Sequence, residues 1–300
     1  MAFFRKHSGR ASYDLFSNYR YYVPGYGGMM MLFFMFIIGA LLGSLLVACL
    51  GIVSMEFASI YGTVISYPVM FIPPLLYAST NSRRNEFFDT GYSLDNSNFG
   101  KLGGFWMAVI VTIATMAMAF VCDGMSKILP PTPEWFENAM EKILDAPVFI
   151  TLISVSVFAP LFEEWLCRGL VLRGLLQKTS PVSAILVSAA FFAVLHMNPW
   201  QALSAFVLGI LFGYVYYKTG SLKLTMLMHC VNNTMAVVLS KIPSLENAEG
   251  FAEVMSIWAY VCVFIACIAF IAAACVVLHN IPFAKEGARS NCDEIPPMSI

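Results

Sequence analysis

Charge is what this chain has least of: Asp, Glu, Lys and Arg make up 12% of its 300 residues, about half the share of an ordinary soluble domain. With 59% of the residues hydrophobic, and those residues arriving in runs long enough to cross a bilayer, a soluble fold is excluded. An excess of one sign is missing too. The net charge is −1, so no global field attracts nucleic acid, and no nucleic-acid partner is expected. The eight cysteines contain no CxxC pair, which argues against a thiolate metal site or a redox dithiol. Cys49, Cys167, Cys230, Cys262, Cys267 and Cys275 fall inside apolar runs and read as small apolar fillers. There is no HExxH, and no internal repeat with a period of about 20 to 50 residues. Residues 1–28 lack the apolar stretch and small-residue cleavage site of a signal peptide, so the first span is expected to serve as the insertion signal.

What is present is a succession of apolar segments at 29–55, 60–77, 102–122, 148–177, 182–197, 200–217, 222–240 and 255–278. The expected fold is all-α, a polytopic membrane bundle of about eight transmembrane helices. Pro68, Pro73 and Pro74 fall within the second segment and are expected to kink it. The fourth is about thirty residues long and is expected to tilt or project beyond the bilayer. Between the third and fourth, Thr132-Pro133-Glu134 carries the signature of a helix start. Phe136, Met140, Ile143 and Leu144 then share one face, which predicts a short amphipathic helix on the membrane surface. The stretch 81–101 reads as a polar loop.

The organisation that follows has five parts. Residues 1–28 form a cytoplasmic amphipathic segment in which Arg5, Lys6, Arg10 and Arg20 alternate with aromatic residues suited to lipid headgroups. Residues 29–147 hold the first three spans and the surface helix, 148–240 a core of four spans, 241–280 the last span, and 281–300 a polar cytoplasmic tail. Counting Lys and Arg loop by loop puts both termini in the cytoplasm. Arg83, Arg84, Lys101, Arg173, Lys178, Lys218, Lys223, Lys285 and Arg289 then lie inside, whereas Lys127, Lys142 and Lys241 lie outside amid seven acids between Glu134 and Glu253. A bacterial inner membrane is the expected location.

Against this apolar background the stretch 158–174, FAPLFEEWLCRGLVLRG, stands out. A charged group at the centre of a span is disfavoured by about 2.5–3.5 kcal/mol on insertion scales, so Glu163, Glu164 and Arg168 mark a functional site by default. Glu164 and Arg168 are four residues apart and can pair along the helix. Glu163 points about 100° away and is left for another partner, which makes it a candidate proton acceptor. Alone, His196 would read as a satisfied core histidine and Asn233 as an interhelical hydrogen bond. Helical rise, however, brings them to similar depths: Glu163 and His196 about 22 Å from the cytoplasmic ends of their helices, Asn233 about 18 Å and His229 about 12 Å. A cavity between the fourth, fifth and seventh spans is expected.

At these residues the chain resembles the CAAX protease and bacteriocin-processing (Abi, type II CAAX prenyl endopeptidase) family. Its EExxxR box corresponds to Glu163-Glu164-Trp165-Leu166-Cys167-Arg168, its FxxxH box to Phe192-Ala193-Val194-Leu195-His196, and its HxxxN box to His229-Cys230-Val231-Asn232-Asn233. The resemblance implies an intramembrane endopeptidase acting on a membrane-associated peptide or protein, whether lipidated or signal-bearing. Glu163 and His196 would activate a water and His229 and Asn233 would hold the oxyanion, with Glu164, Arg168 and Phe192 in support and no cofactor. Two alternatives stay open: a zinc enzyme with Glu163, His196 and His229 as ligands, and a non-catalytic immunity or scaffold protein using the same cavity. A proton-coupled transporter is a weaker third, since no inverted pair of broken helices is seen.

Overall fold

The computed structural model describes residues 16–87, 91–242 and 250–281. The residues expected at the headgroups before Phe16, and the expected tail after Ile281, lie outside that range. The described residues fold into a helical bundle. Its main helices are α1 (Tyr26–Val53), α2 (Met55–Asn85), α3 (Gly103–Ser126), α4 (Glu134–Leu144), α5 (Val148–Leu176), α6 (Pro181–Leu195), α7 (Pro199–Thr219), α8 (Leu222–Leu239) and α9 (Ile257–His279). Seven of these are long and apolar enough to cross a membrane, and α6 is a shorter apolar helix. The protein is an integral membrane protein.

Helix starts follow a repeated local chemistry. The side chains of Ser54, Ser180, Asn198, Ser221 and Ser256 each accept a backbone N–H three residues on, satisfying a donor that the first turn leaves without a partner. Pro181 and Pro199 occupy the first helical position, where a missing N–H does no harm. Gly220 closes α7 in the left-handed conformation, with φ of 63°, which suits a residue without Cβ.

α1 and α2 form a hairpin that turns at Ser54 and packs along its length. Its seam runs through Gly39 and Gly43, where the α2 backbone approaches so closely that a Cβ on Gly39 would lie 1.9 Å from the Met70 carbonyl oxygen. Small residues are what allow helices to meet this way in a bilayer. α2 then packs against α5; α5 packs against α6 and α8; α3 packs against α7, α8 and α9. The α5–α8 group is therefore sandwiched between the α1–α2 hairpin and α3 with α9.

Two expectations at the end of the bundle that holds the N-terminal segment are corrected. α2 does not stop near Tyr77 but runs unbroken through its three prolines to Asn85. Its last turns are held by the N-terminal segment, with Tyr21 N–H donating to Ser82 Oγ and Asn85 Nδ2 to the Tyr21 carbonyl. Arg173, expected as a loop cation, is buried. Its guanidinium donates to the carbonyls of Tyr19, Arg20, Tyr22, Tyr92 and Gly169 and so ties the N-terminal segment and the loop after α2 to α5.

The amphipathic helix forms as α4, with no buried residue of its own. It is pinned at its edges by Trp200 Nε1–H to the Pro130 carbonyl, Thr151 Oγ1–H to that of Ile143, and Lys241 Nζ to that of Leu144.

Candidate active site

The polar residues of the bundle meet around α5, which departs from regular α geometry on both sides of Ala159–Glu164. Residues Leu152–Phe158 and Trp165–Leu172 are wound as wider π turns, a feature that disrupts the regular ladder and recurs at functional sites. Side chains from neighbouring helices bond to carbonyls of these turns. Asn233 Nδ2 donates to Val155 O at 2.8 Å, and Ser188 Oγ donates to Cys167 O at 2.9 Å. α5 is thereby joined to α8 on one side and α6 on the other.

Each partner helix presents a stripe with a period of four, as residues on one helical face must. On α6 the stripe is Ser188, Phe192 and His196; on α8 it is Thr225, His229 and Asn233. The Phe192 ring meets both imidazoles edge-on, with centroids 5.1 Å from His196 and 5.4 Å from His229.

Glu164 and Arg168 form the intrahelical pair, fully buried, with Nη1 2.7 Å from Oε1. Arg168 also donates to Gly209 O at 3.1 Å and lies over the rings of Phe192 and Phe212 at 4.5 and 5.4 Å. A buried guanidinium needs such company, since an uncompensated charge in this environment is strongly destabilising. The same Oε1 of Glu164 receives His229 Nδ1 at 3.1 Å. A carboxylate only accepts, so Nδ1 carries a proton and the other ring nitrogen, Nε2, is aimed elsewhere.

That nitrogen faces Glu163. His229 Nε2 is 3.9 Å from Glu163 Oε2, and Oε2 is buried with no hydrogen-bond partner from the protein. The other oxygen, Oε1, accepts the hydroxyl of Tyr67 on α2. Glu163 and Glu164 thus face opposite sides of one imidazole, the outcome of their roughly 100° angular offset.

Of the residues singled out in the sequence, Glu163, Glu164, Arg168, Phe192 and His229 form one contiguous cluster. His196 joins it through Phe192. It sits half-buried at the end of α6, with Nδ1 bonded to the Phe192 carbonyl at 3.0 Å. Asn233 lies one turn beyond His229, its amide on Val155 O and its side-chain oxygen accepting from Asn232. The set proposed for zinc is not assembled. Among the described residues no three His, Cys, Asp or Glu side chains stand where they could share an ion.

Three features were not anticipated from the sequence: the bond from Tyr67 to Glu163, the bond from His229 to Glu164, and the buried role of Arg173. The first had a signal, a tyrosine in mid-span rather than in the interfacial belts where that residue concentrates.

Comparison with known proteins bears on the same stretch. Residues 145–235 match the family model described as type II CAAX prenyl endopeptidase Rce1-like. The chain is also 24% identical over 119 residues to a Bacillus subtilis (strain 168) protein described as "Putative membrane peptidase YdiL", an overlap that takes in 40% of this chain and 47% of that one. The chain thus spans about half the length of the curated relative it matches. No solved structure matches it. The EExxxR, FxxxH and HxxxN boxes and the buried cluster around Glu164 all lie inside the residues that match the type II CAAX prenyl endopeptidase Rce1-like family model.

Proposed function

We propose that the protein is an intramembrane endopeptidase that hydrolyses a peptide bond of a membrane-associated substrate with a water activated by Glu163. The observation that carries this reading is the geometry at Oε2: a buried carboxylate oxygen with no protein partner, facing an imidazole nitrogen 3.9 Å away. That separation is too long for a direct hydrogen bond and matches a position from which a third, reacting group is held by both.

The roles then follow from what each side chain has left to offer. Glu163 takes the proton of the attacking water through Oε2. His196, its Nδ1 engaged by its own helix, presents Nε2 as the second proton-handling group. His229 is held by Glu164 through Nδ1–H, and with a second proton on Nε2 it joins the second N–H of Asn233 in supplying donors to the oxyanion. Such donors in a water-excluded site are worth about 2.7–4 kcal/mol each. Arg168 balances Glu164, and Phe192 spaces the two imidazoles. A peptide ending in a prenylated cysteine motif is the substrate class that the matched family model points to, the setting is a bacterial inner membrane, and both termini inside is the orientation that the loop charges favour.

The test is a proteome comparison of cells carrying the native chain or Glu163→Gln, expressed at equal levels. Precursors that accumulate only with Glu163→Gln, with purified variant activity down by about 10²–10⁴-fold, support the reading. Identical processing in both strains would overturn it in favour of a non-catalytic scaffold.

A further inference from the structure

The family match begins at residue 145, yet one group touching Glu163 comes from well before it. We infer that Tyr67, on the α1–α2 hairpin, is a positioning residue of the site: its hydroxyl fixes one oxygen of Glu163 so that only the other is free to accept a proton. The inference rests on the reading of Glu163 as proton acceptor and adds an element that the matched segment does not contain.

The geometry is built from both sides. Tyr67 O–H donates to Glu163 Oε1, and with that oxygen engaged the carboxylate plane is set and Oε2 is directed to His229. The Tyr67 ring is held in turn by an aromatic ladder. It stacks on Phe71 with centroids 5.8 Å apart, and Phe71 stacks on Phe162, the neighbour of Glu163, at 5.1 Å. Phe71 is fully buried. A ring gripped this way loses little further freedom when its hydroxyl bonds, so the carboxylate is oriented before substrate arrives. The hairpin seam at Gly39 and Met70 lies one turn from Tyr67 and holds α2 tightly against α1 at that level.

A carboxylate in mid-bilayer with one oxygen on a hydroxyl and the other unpartnered also has a defined division of labour. A tyrosine hydroxyl both donates and accepts, whereas an ionised carboxylate only accepts. Tyr67 therefore fills the donor role at Oε1 without competing for the proton taken at Oε2.

The experiment compares native protein, Tyr67→Phe and Glu163→Gln in detergent, using a farnesylated peptide ending in Cys-aliphatic-aliphatic-X as probe. Tyr67→Phe keeps the ring and the ladder and removes only the hydroxyl. It is expected to lower kcat by about 10–100-fold, the worth of a hydrogen bond to a charged group, while KM stays within about twofold. A kcat equal to native in Tyr67→Phe, alongside an inactive Glu163→Gln, overturns the positioning role and leaves the protease reading intact. Activity in Glu163→Gln overturns the protease reading instead. Infrared spectra of protein labelled with ring-¹³C tyrosine separate the two and need no substrate. The Tyr67 C–O band, identified by its loss in Tyr67→Phe, is expected to shift in Glu163→Gln. An unmoved band overturns the contact; where Tyr67→Phe fails to fold, the native-minus-Glu163→Gln difference spectrum is read directly, and the absence of any tyrosine C–O difference overturns it.

Discussion

α9 and α7 are both spans, but the more apolar of the two is the less buried: within the most apolar 18 residues of each, 11% lie inside the protein in α9 against 44% in α7. In water the order would be reversed. In a bilayer the lipid is as apolar as leucine, so hydrophobicity gives no reason for a helix to leave it, and burial goes to helices with small or polar residues to pair. α7 offers Gly209 and Gly213, which let Arg168 and Ile185 approach, whereas α9 buries only Ala274 and Leu278. The comparison extends to α5, in which every residue from Glu163 to Leu176 is buried around its charges.

The sharpest way to break the comparison is to remove polarity from α5. Glu164→Leu leaves Arg168 charged and buried without its carboxylate and is expected to cost about 3–5 kcal/mol of stability, read as a fall in the unfolding midpoint in detergent. Adding Arg168→Met removes the stranded charge and is expected to recover most of that loss. Activity should stay low in the double variant, because His229 Nδ1 has lost the acceptor that orients it. By contrast Ile265→Ala on α9, where the side chain is 61% exposed, is expected to change stability by less than about 0.5 kcal/mol. Equal effects at the two sites would refute the account of burial given above.

α1 sharpens the comparison, since it is lipid-facing nearly all round yet has one stripe that tolerates nothing. A side chain at Gly39 collides with the α2 backbone. Gly39→Leu is expected to destabilise the hairpin by at least about 1–3 kcal/mol and to lower activity as well, because α2 carries Tyr67. Leu41→Ala, two residues away and 66% exposed, is expected to leave both unchanged. A crosslink between cysteines placed at 40 and 69 would report whether the seam has opened.

How much of this was legible beforehand follows the same division. Runs of apolar residues placed the spans, because length and hydropathy alone decide what can cross. Spacing along a helix placed Glu164 against Arg168 and separated Glu163 from both, because that pairing is local. What spacing could not give was any partner on another helix. The sequence shows that His229 and Glu164 each have a polar face, but the meeting of those faces depends on which helices pack. Tyr67 could be noticed as a mid-span tyrosine, but its partner could not be named for that reason. Arg173 misled because a cation in the last turns of α5 looks like a loop charge, and only the folded chain brings the carbonyls of the N-terminal segment and of Tyr92 that bury it. The end of α2 was misplaced because polar residues such as Asn81 and Arg83 end a span without ending a helix.

The smallest expected effect concerns the corner that sets His196. Between α6 and α7 the chain turns in three residues: His196 ends one helix, Met197 takes a left-handed φ of 53°, and Asn198 caps the next while its Nδ2 donates to the His196 carbonyl. Met197 is the sole non-glycine residue with positive φ among those described, and its side chain is 62% exposed, so the conformation is imposed by the corner and not by packing of the methionine. An L-residue there costs about 1–2 kcal/mol. Met197→Gly removes that cost but adds unfolded-state entropy of about 0.5–1 kcal/mol, so stability should rise by no more than about 1.5 kcal/mol, with kcat unchanged. Met197→Ile, whose branched Cβ resists the left-handed region, is expected to lose about 1 kcal/mol or more and to lower kcat, since the corner relaxes by moving His196. If the isoleucine variant lost stability but kept kcat, the corner would be a fold element alone, and the setting of His196 would have to come from Phe192.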